Sequence, residues 1–410
     1  MKKILILGSS PDMALFVKSA KSKGLYTVVV DSNPKGAAKK IADVSYDMDV
    51  RDIDALEKLF KENPVDGITT GCSEVLLDSY VELAHRLGLR SYLTREQLIK
   101  VRVKSSMKEM LQCAGVEIMK HSRVQRNFTE MDLTGLSWPL VVKPEDSYGS
   151  RGVFVVTNIG EMRKQFDEAA SHSNHSHIVV EEFCGDDEHS MLFWIDEGKP
   201  YLLYLSDLIP FGKTQKYVGY CHYQLYISRE FDEISPVARD VMEKIVDELN
   251  IKNGTFSMQV YFKNGKLRVN EIAGRTFGFG GPLTTRVLAG FGPEDLLIDY
   301  AVGNPISIDW QNLSLKRDKD YYALYMYAKP GHITSIEGLP YINSRPEVYG
   351  HDIYFDVGDE IKNSGNRFAT VASFFIESEC HEQAVQLFSD IYENFKFLDA
   401  NGENLIVPTV

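Results

Sequence analysis

The hairpin around residue 265 carries the side chains best suited to metal-dependent chemistry. Gln259 and Glu271 lie on the two strand-like segments that flank this turn, and Arg275 follows shortly after. An amide oxygen and a carboxylate on neighbouring strands can share magnesium ions with a triphosphate, because hard cations prefer oxygen ligands. Arg275 could then stabilise charge on a transferred phosphoryl group. The alternative, an exposed polar hairpin face, leaves the glycine-rich segment 277–281 unexplained.

Two lysines earlier in the chain are candidates for phosphate binding. Lys104 begins a helical segment, and Lys143 ends the apolar run WPLVV. The segment EDSYGSRG at 145–152 follows directly, and its small residues allow a loop whose N–H groups could close over phosphates. A solvated lysine and a plain hairpin loop are the ordinary explanations of these features taken singly. The prediction of a nucleotide site therefore depends on their combination.

An apolar strand that turns acidic, VVEEFCGDDE at 179–188, could hold the base and the sugar of a nucleotide. The backbone of a strand-like linker supplies a donor and an acceptor for an adenine ring, and a nearby carboxylate can bind ribose hydroxyls. Residues 181–184 suit the linker, and Glu188 suits the ribose. An edge strand that enters an acidic loop is the alternative interpretation.

The first hundred residues alternate between strands and helices in the way that is typical of an open parallel sheet. Apolar runs at 3–9, 27–33 and 67–71 predict strands. A helical pattern follows the first run as far as about Lys23, and further helical patterns occupy 53–62 and 74–87. A dinucleotide site is disfavoured, because GSSPDM after the first run lacks the second and third glycines of that motif. We predict a structural α/β module here.

Beyond residue 104 the sequence has the longer strands of an α+β fold. Runs such as HIVVEEF and HSMLFWIDEG alternate with helical patterns near 159–170 and 233–249. The segment Lys263-Asn264-Gly265-Lys266 predicts a tight hairpin turn, because Asn-Gly tolerates positive φ angles. The last hundred residues are predicted to be β structure with one helix, at about 381–395.

Composition limits the cellular setting and the partners. The 410 residues, 44% hydrophobic and 25% charged, are typical of a soluble globular protein of two to four modules. A net charge of −13 without a long basic run disfavours nucleic acid as a partner. No apolar stretch reaches the roughly 20 residues of a membrane helix. The five cysteines are odd in number and scattered, which predicts a reduced, cytoplasmic chain.

Taken in order, these features resemble the ATP-grasp superfamily, particularly the group with carbamoyl-phosphate synthetase, biotin carboxylase and the bacterial L-amino acid ligases. KSSMKEMLQCAGV at 104–116 resembles the lysine-led helix of that family. The resemblance implies an α/β N-terminal module with a parallel open sheet, followed by α+β ATP-grasp domains. The implied divisions are a pre-ATP-grasp domain (1–103), a small subdomain (104–184), a large subdomain (185–305) and a β-rich C-terminal part completing the grasp domain (306–410).

The resemblance also implies a role for each matching residue. Glu271 and Arg275 would be catalytic, and Gln259 and Glu271 would bind metal. The ATP-binding residues would be Lys104, Lys143, Ser147, Ser150, Gly152, Glu181, Glu182, Phe183, Cys184 and Glu188. Two positions depart from the common pattern: Ala273 replaces an asparagine of the Glu-x-Asn-x-Arg motif, and Gln259 replaces a glutamate. The first resembles the amino acid ligases and the second resembles carbamoyl-phosphate synthetase.

The implied activity is that of an ADP-forming ligase that uses ATP with Mg²⁺ or Mn²⁺. The γ-phosphate would pass to a small carboxylate, and an amine would attack the acyl phosphate; a homodimer is expected from the resemblance alone. A bicarbonate-activating enzyme and a nucleotide-binding regulatory protein without turnover are the alternatives. Lys213 and Lys216 are either loop residues above the site or solvated lysines. His222 is either structural or borders the substrate cavity.

Overall fold

The helices and strands are taken from a computed structural model that describes residues 1–147, 149–185, 187–212, 220–362 and 368–408. Lys213 and Lys216 lie outside the described residues. The α-helices α1 to α11 span Pro11–Ser22, Ile53–Glu62, Glu74–Leu87, Arg95–Arg102, Lys104–Cys113, Ile159–Ser171, Phe231–Leu249, Gly281–Ala289, Pro293–Val302, Leu339–Asn343 and His381–Asn394. The strands β1 to β20 span Lys3–Leu7, Tyr26–Asp31, Val44–Asp47, Gly67–Thr70, His121–Gln125, Leu140–Pro144, Phe154–Val156, His177–Glu182, Glu188–Asp196, Lys199–Pro210, Cys221–Tyr226, Gly254–Lys263, Lys266–Ala273, Asp320–Ala328, Gly331–His332, Ser335–Glu337, Val348–Ile353, Glu360–Ile361, Ala369–Ser378 and Lys396–Leu398.

The N-terminal module is built on a four-stranded parallel sheet of order β3-β2-β1-β4. Residues 4–7 of β1 are completely buried, because helices cover a parallel sheet on both faces and leave no polar side to the strand. This burial explains the continuous apolar run in the sequence. The predicted parallel open sheet is confirmed, and α2 and α3 have the predicted bounds.

A second, antiparallel sheet of order β5-β8-β6-β7 follows, with α6 packed against it. Its own hydrophobic core includes Val142, Val180, Met162 and Phe166. β6 and β8 are antiparallel, so Lys143 near the end of β6 pairs with Val179, and Glu181 near the end of β8 pairs with Val141. The phosphate lysine and the adenine linker predicted from the sequence therefore lie on neighbouring strands.

The largest sheet has eight antiparallel strands in the order β13-β12-β9-β10-β11-β14-β19-β17. Asn264 and Gly265 form the turn between β12 and β13 with φ angles of 54° and 71°, which confirms the predicted hairpin. The C-terminal strands β14, β17 and β19 extend this same sheet, and α11 covers one of its faces there. The domain boundaries at 103, 184 and 305 remain a proposal.

A β-bulge breaks the regular alternation of the hairpin at the point where it carries polar residues. Gln259 pairs with Glu271, whereas Val260 pairs with Val269, so Asn270 is the extra residue of β13. A bulge lets two consecutive residues of one strand face a single residue of its partner. Asn270 and Glu271 therefore both reach the region beside Gln259.

Two further observations concern the helices. The C-terminal helix α11 matches its prediction, but the short helix α10 also occurs in the last hundred residues, so the prediction of a single helix was wrong. With five residues, α10 is too short to show an amphipathic pattern in the sequence. No helix within the described ranges is both long and apolar enough to cross a membrane.

Candidate active site

Lys104 is the first residue of α5 and reaches the loop between β6 and β7. Its Nζ donates a hydrogen bond of 2.8 Å to the carbonyl of Ser147. The fully buried Glu145 anchors the same helix end, because its carboxylate accepts a 2.7 Å hydrogen bond from the N–H of Ser105. Burial lowers the pKa of Lys104, and the negative charge of Glu271 opposes this shift. Lys104 is thus held where a phosphate under the loop could contact it.

The predicted phosphate loop turns back on itself through left-handed residues. Ser150 and Gly152 have φ angles of 56° and 72°. A Cβ atom on Gly152 would lie only 2.8 Å from the Pro144 ring, so this position requires glycine. The Ser147 hydroxyl donates to the Arg151 carbonyl at 3.1 Å. Turns of this kind can point successive N–H groups toward an anion.

A buried group of charges lies where β6 and β8 adjoin. Lys143 Nζ is 3.0 Å from Glu181 Oε2, and Lys108 Nζ is 2.7 Å from Glu181 Oε1. The side chains of Lys108 and Glu181 are only 1% and 2% exposed. Burial alone would raise the pKa of Glu181, but the two lysines outweigh it and lower this pKa to about 2. The Glu181 carboxylate therefore stays ionised and orients both lysines.

Asn270 joins this charged group to the large sheet. Lys143 Nζ donates to Asn270 Oδ1 at 2.7 Å, and Asn270 Nδ2 donates to Glu188 Oε1 at 2.7 Å. Burial raises the pKa of Glu188, and the hydrogen bond from Asn270 opposes the rise. Glu188 is the first residue of β9 and is linked to Lys143 through Asn270. This is the arrangement expected if Glu188 binds the ribose and Lys143 binds phosphate of the same nucleotide.

A backbone donor of the linker 181–184 has no acceptor among the described residues. The N–H of Glu182 donates to the Lys120 carbonyl at 3.0 Å, and the N–H of Phe183 donates to the Pro139 carbonyl at 3.1 Å. Among the described residues, none accepts a hydrogen bond from the N–H of Cys184. This N–H is the linker group that could bind adenine. Burial raises the pKa of the Cys184 thiol, which favours a packing role for the side chain.

Gln259 and Glu271 lie directly opposite one another on β12 and β13. Within the described ranges, His, Cys, Asp and Glu form no cluster of three that could hold a metal ion. Magnesium suits such a sparse site, because it commonly takes one or two protein oxygens together with phosphates and waters. The amide oxygen of Gln259 and the carboxylate of Glu271 therefore fit a magnesium ion bound with a nucleotide.

Arg275 is fixed by the N-terminal module. Its guanidinium contacts the carboxylate of Glu74, the first residue of α3, and also donates to the Thr276 carbonyl at 2.9 Å. Glu74 is only 9% exposed and pairs with Arg102 at 3.2 Å as well. The two arginines therefore share one buried acid, which sets the direction of Arg275.

The glycine-rich segment after Arg275 is clamped by Asp12. The Asp12 carboxylate accepts hydrogen bonds from the N–H groups of Phe279 at 3.1 Å and Gly280 at 3.0 Å. Gly280 has a φ of 81°, and a Cβ there would lie 2.0 Å from the Phe375 ring. The glycine thus lets the backbone pass closely between the N-terminal module and the large sheet.

A row of buried polar side chains crosses the large sheet on the face that carries Gln259. Ser190 pairs with Gln259 in register, and Ser206 Oγ donates to the Ser190 carbonyl at 2.9 Å. Gln224 Nε2 donates to Ser206 Oγ at 2.6 Å, and the Tyr325 hydroxyl donates to Gln224 Oε1 at 2.8 Å. This polar row forms a wall suited to a polar substrate beside the metal residues.

His222 lies in an aromatic cluster. Its ring is 5.7 Å from that of Phe211, 6.3 Å from that of Phe388 and 6.0 Å from that of Tyr392. Burial lowers the pKa of His222 to about 4. The structural alternative is therefore the better description of this residue.

The sequence interpretation missed four residues of the site: Lys108, Asn270, Glu74 and Asp12. Lys108 follows Lys104 by one helical turn, a spacing that places both on one helix face. Asn270 directly precedes Glu271, but only the bulge brings it into the site. Glu74 and Asp12 come from the N-terminal module, and nothing local in the sequence indicates their partners.

Comparison with known proteins agrees with this geometry. Residues 109–282 match the family described as the ATP-grasp domain. A formate-dependent phosphoribosylglycinamide formyltransferase of Francisella tularensis is 24% identical over 309 residues, which cover 74% of this chain and 78% of the relative. The crystal structure of an L-amino acid ligase from Bacillus licheniformis superimposes with a TM-score of 0.80 at 17% identity, covering 98% of this chain and 99% of that one. The crystal structure of a phosphoribosylglycinamide synthetase from Anaerococcus prevotii superimposes with a TM-score of 0.74 at 19% identity, covering 97% of this chain and 99% of that one.

The fold and the matched family define the class of this protein. Residues 109–282 contain an ATP-grasp domain, and nearly the whole chain shares its fold with an L-amino acid ligase, so the resemblance seen in its sequence is confirmed. It is an ATP-using enzyme of the ligase class, as the sequence predicted.

Proposed function

We propose that the protein is an ADP-forming carboxylate–amine ligase that works through an acyl phosphate. The observation that carries this proposal is the pairing of Gln259 with Glu271 beside Lys143, with Arg275 anchored close to them. The proposal also draws on the relatives, since a formate-dependent formyltransferase and an amino acid ligase both act on small carboxylates.

The roles of the side chains follow from their charge and position. Lys104 and Lys143 neutralise oxygens of the triphosphate, and Glu188 and the N–H of Cys184 orient the ribose and the base. Gln259 and Glu271 would hold magnesium, which would supply positive charge to offset the charge of the phosphate oxygens. Arg275 binds the substrate carboxylate and stabilises the charge that develops during transfer. Catalysis then depends on positioning and electrostatics, without a covalent protein intermediate.

The test is release of ADP and phosphate by the purified protein with Mg-ATP. Small carboxylates and amines, with amino acids among both, are supplied singly and in pairs, and bicarbonate is supplied separately. Release that requires a carboxylate and an amine together supports the ligase. Release that requires bicarbonate would instead support the bicarbonate-activating enzyme. ATP binding without release of ADP would support a nucleotide-binding regulatory protein.

Glu271→Ala provides the matched test of the metal residues. We expect it to abolish ADP release, because the ion loses its only charged protein ligand in this assignment. Lys266→Ala, on the exposed part of the same strand, is the control and should behave as the wild type. Normal turnover by Glu271→Ala would show that Glu271 does not bind the metal ion.

A further inference from the structure

Two carboxylates interact electrostatically where the N-terminal module meets the large sheet. Asp12 is the second residue of α1, and Asp352 lies on β17 opposite Ser373. Burial and the negative charge of Asp12 together raise the pKa of Asp352 to about 7. Because neither Gln259 nor Glu271 touches this pair, it is separate from the metal residues, although the segment 276–281 connects the two regions.

The two acids differ in their partners. Asp12 accepts from two backbone N–H groups, and the Cys72 thiol lies 3.7 Å from it. Asp352 has no hydrogen-bond or ion-pair partner for its carboxylate in the part of the chain that the structure describes. The cation of this chain that acts on it is Lys18, whose side chain is exposed on α1. A cation bound beside Asp352 would favour the ionised form of this largely buried carboxylate, which burial and Asp12 disfavour.

A buried hydroxyl faces the same region without a hydrogen bond. Tyr226 is 0% exposed and pairs in register with Ser206, which places it on the polar face of the large sheet. Its hydroxyl lies near that of Tyr325 but makes no hydrogen bond of normal geometry with any described residue. The Tyr325 ring lies 5.9 Å from that of Phe279, whose N–H binds Asp12, so the Tyr226 hydroxyl lies on the side of Asp12. It is therefore available to a polar ligand.

Aromatic rings line the approach to the acids. Phe279, whose N–H binds Asp12, is 41% exposed although its ring centre lies 5.9 Å from that of Tyr325 and 5.6 Å from that of Tyr354. The Tyr354 hydroxyl is 3.1 Å from Ser373 Oγ, which fixes that ring next to Asp352. Aromatic faces attract cations, and most strongly where water is excluded.

We propose that Asp352, supported by Asp12 and flanked by Phe279 and Tyr354, binds the amine-bearing substrate as a cation, and that this substrate carries no phosphate group at this end. The inference deepens the proposed function, on which the identity of the ligand as a ligase substrate rests. A phosphate would be repelled by the two acids. This distinguishes the site from one built for a phosphoribosylated amine, the kind of molecule that the name of the formyltransferase relative contains.

The experiment compares two small probes, ethanolamine and O-phosphoethanolamine, in ligand-observed NMR titrations of the full chain without ATP. We expect ethanolamine to bind and O-phosphoethanolamine to bind at least tenfold more weakly. In Asp352→Asn, the ethanolamine dissociation constant should rise by about tenfold or more, because a charge-assisted contact is lost. Asp356→Asn, an exposed acid four residues further on, is the matched control and should bind as the wild type does.

Tighter binding of the phosphorylated probe, equal binding of ethanolamine by wild type and Asp352→Asn, or no binding of ethanolamine at all would overturn the proposal. Thermal unfolding at pH 8 checks that Asp352→Asn is folded. Failure of the ligase proposal would show itself differently, as absent ADP release with every substrate pair, because the titrations need no turnover.

Discussion

Glu74 contacts Arg275 and thereby ties the end of β13 to the first turn of α3. Arg102 shares the same carboxylate at 3.2 Å and also lies 3.1 Å from Asp78. Glu74 is 9% exposed, whereas Asp78 is 46% exposed. The position of the catalytic candidate Arg275 therefore depends on a buried acid from another module.

Glu74→Gln should reduce turnover while changing the KM for ATP little. Displacing Arg275 by about 1 Å could cost up to about a hundredfold in kcat, because the reacting groups lose their alignment. The change would also remove the negative charge that pairs with Arg275 and Arg102, at a cost of about 3 kcal/mol in unfolding free energy. Steady-state kinetics and urea unfolding measure both effects. Asp78→Asn, which removes the exposed partner of Arg102, should cost less than about 1 kcal/mol.

Lys108→Met tests the buried charges around Glu181. The change leaves Glu181 with a single lysine partner, so we expect a loss of about 3 kcal/mol in unfolding free energy. ATP should bind more weakly, because Glu181 would hold Lys143 more closely and take it from the phosphates. Lys100→Met, on the exposed face of α4, is the control and should cost less than about 1 kcal/mol. Equal stability of the two variants would contradict the role assigned to Lys108.

Gly280→Ala and Gly290→Ala separate steric crowding from backbone strain. Both glycines have left-handed φ angles, 81° and 82°, but a Cβ at Gly280 meets the Phe375 ring at 2.0 Å and one at Gly290 meets nothing within 4 Å. Gly290→Ala should cost about 1 kcal/mol from strain alone. Gly280→Ala should cost about 2 kcal/mol more from overpacking, and should raise the KM of the amine substrate. Thermal unfolding and kinetics would show whether the two variants differ in this way.

The stability of the protein should depend on Asp352 as pH changes. Its pKa is raised from 3.8 to about 7 in the folded protein by burial and by Asp12. The unfolded chain therefore loses this proton first, and the contribution of Asp352 to unfolding free energy falls as pH rises from about 4 to 7. The charged and titratable groups around it are Asp12, Lys18 and Tyr354.

Asp352→Asn should accordingly unfold at a higher temperature than the wild type at pH 8, and the difference should shrink toward pH 4. Thermal unfolding at several pH values measures this. A constant difference across the range would show that Asp352 does not titrate as described. Asp356→Asn should show no such pH dependence.

Local sequence patterns predicted the elements but not the contacts between modules. The hairpin that pairs Gln259 with Glu271 could be predicted because Asn264-Gly265 specifies its turn, and the strand ending at Lys143 has a clear apolar run. Asn270 was not predicted, although the buried apolar positions of β13 change phase between Val269 and Ile272, which is the mark that a bulge leaves in the alternation. Glu74 meets Arg275 across 201 residues of sequence, and that contact depends on how two folded modules pack.

The clamp between Asp12 and the segment 276–281 bears on how such enzymes could diversify. Asp12 and Glu74 belong to the first hundred residues, yet they contact Phe279, Gly280 and Arg275 of another module. Under the proposed function, exchange of this opening region between two relatives would replace the acids that support Asp352 and hold Arg275, while Asp352, Phe279 and Tyr354 stayed with the recipient. Amine selectivity would then be a joint property of two modules, and an exchange would preserve it only where these contacts are kept.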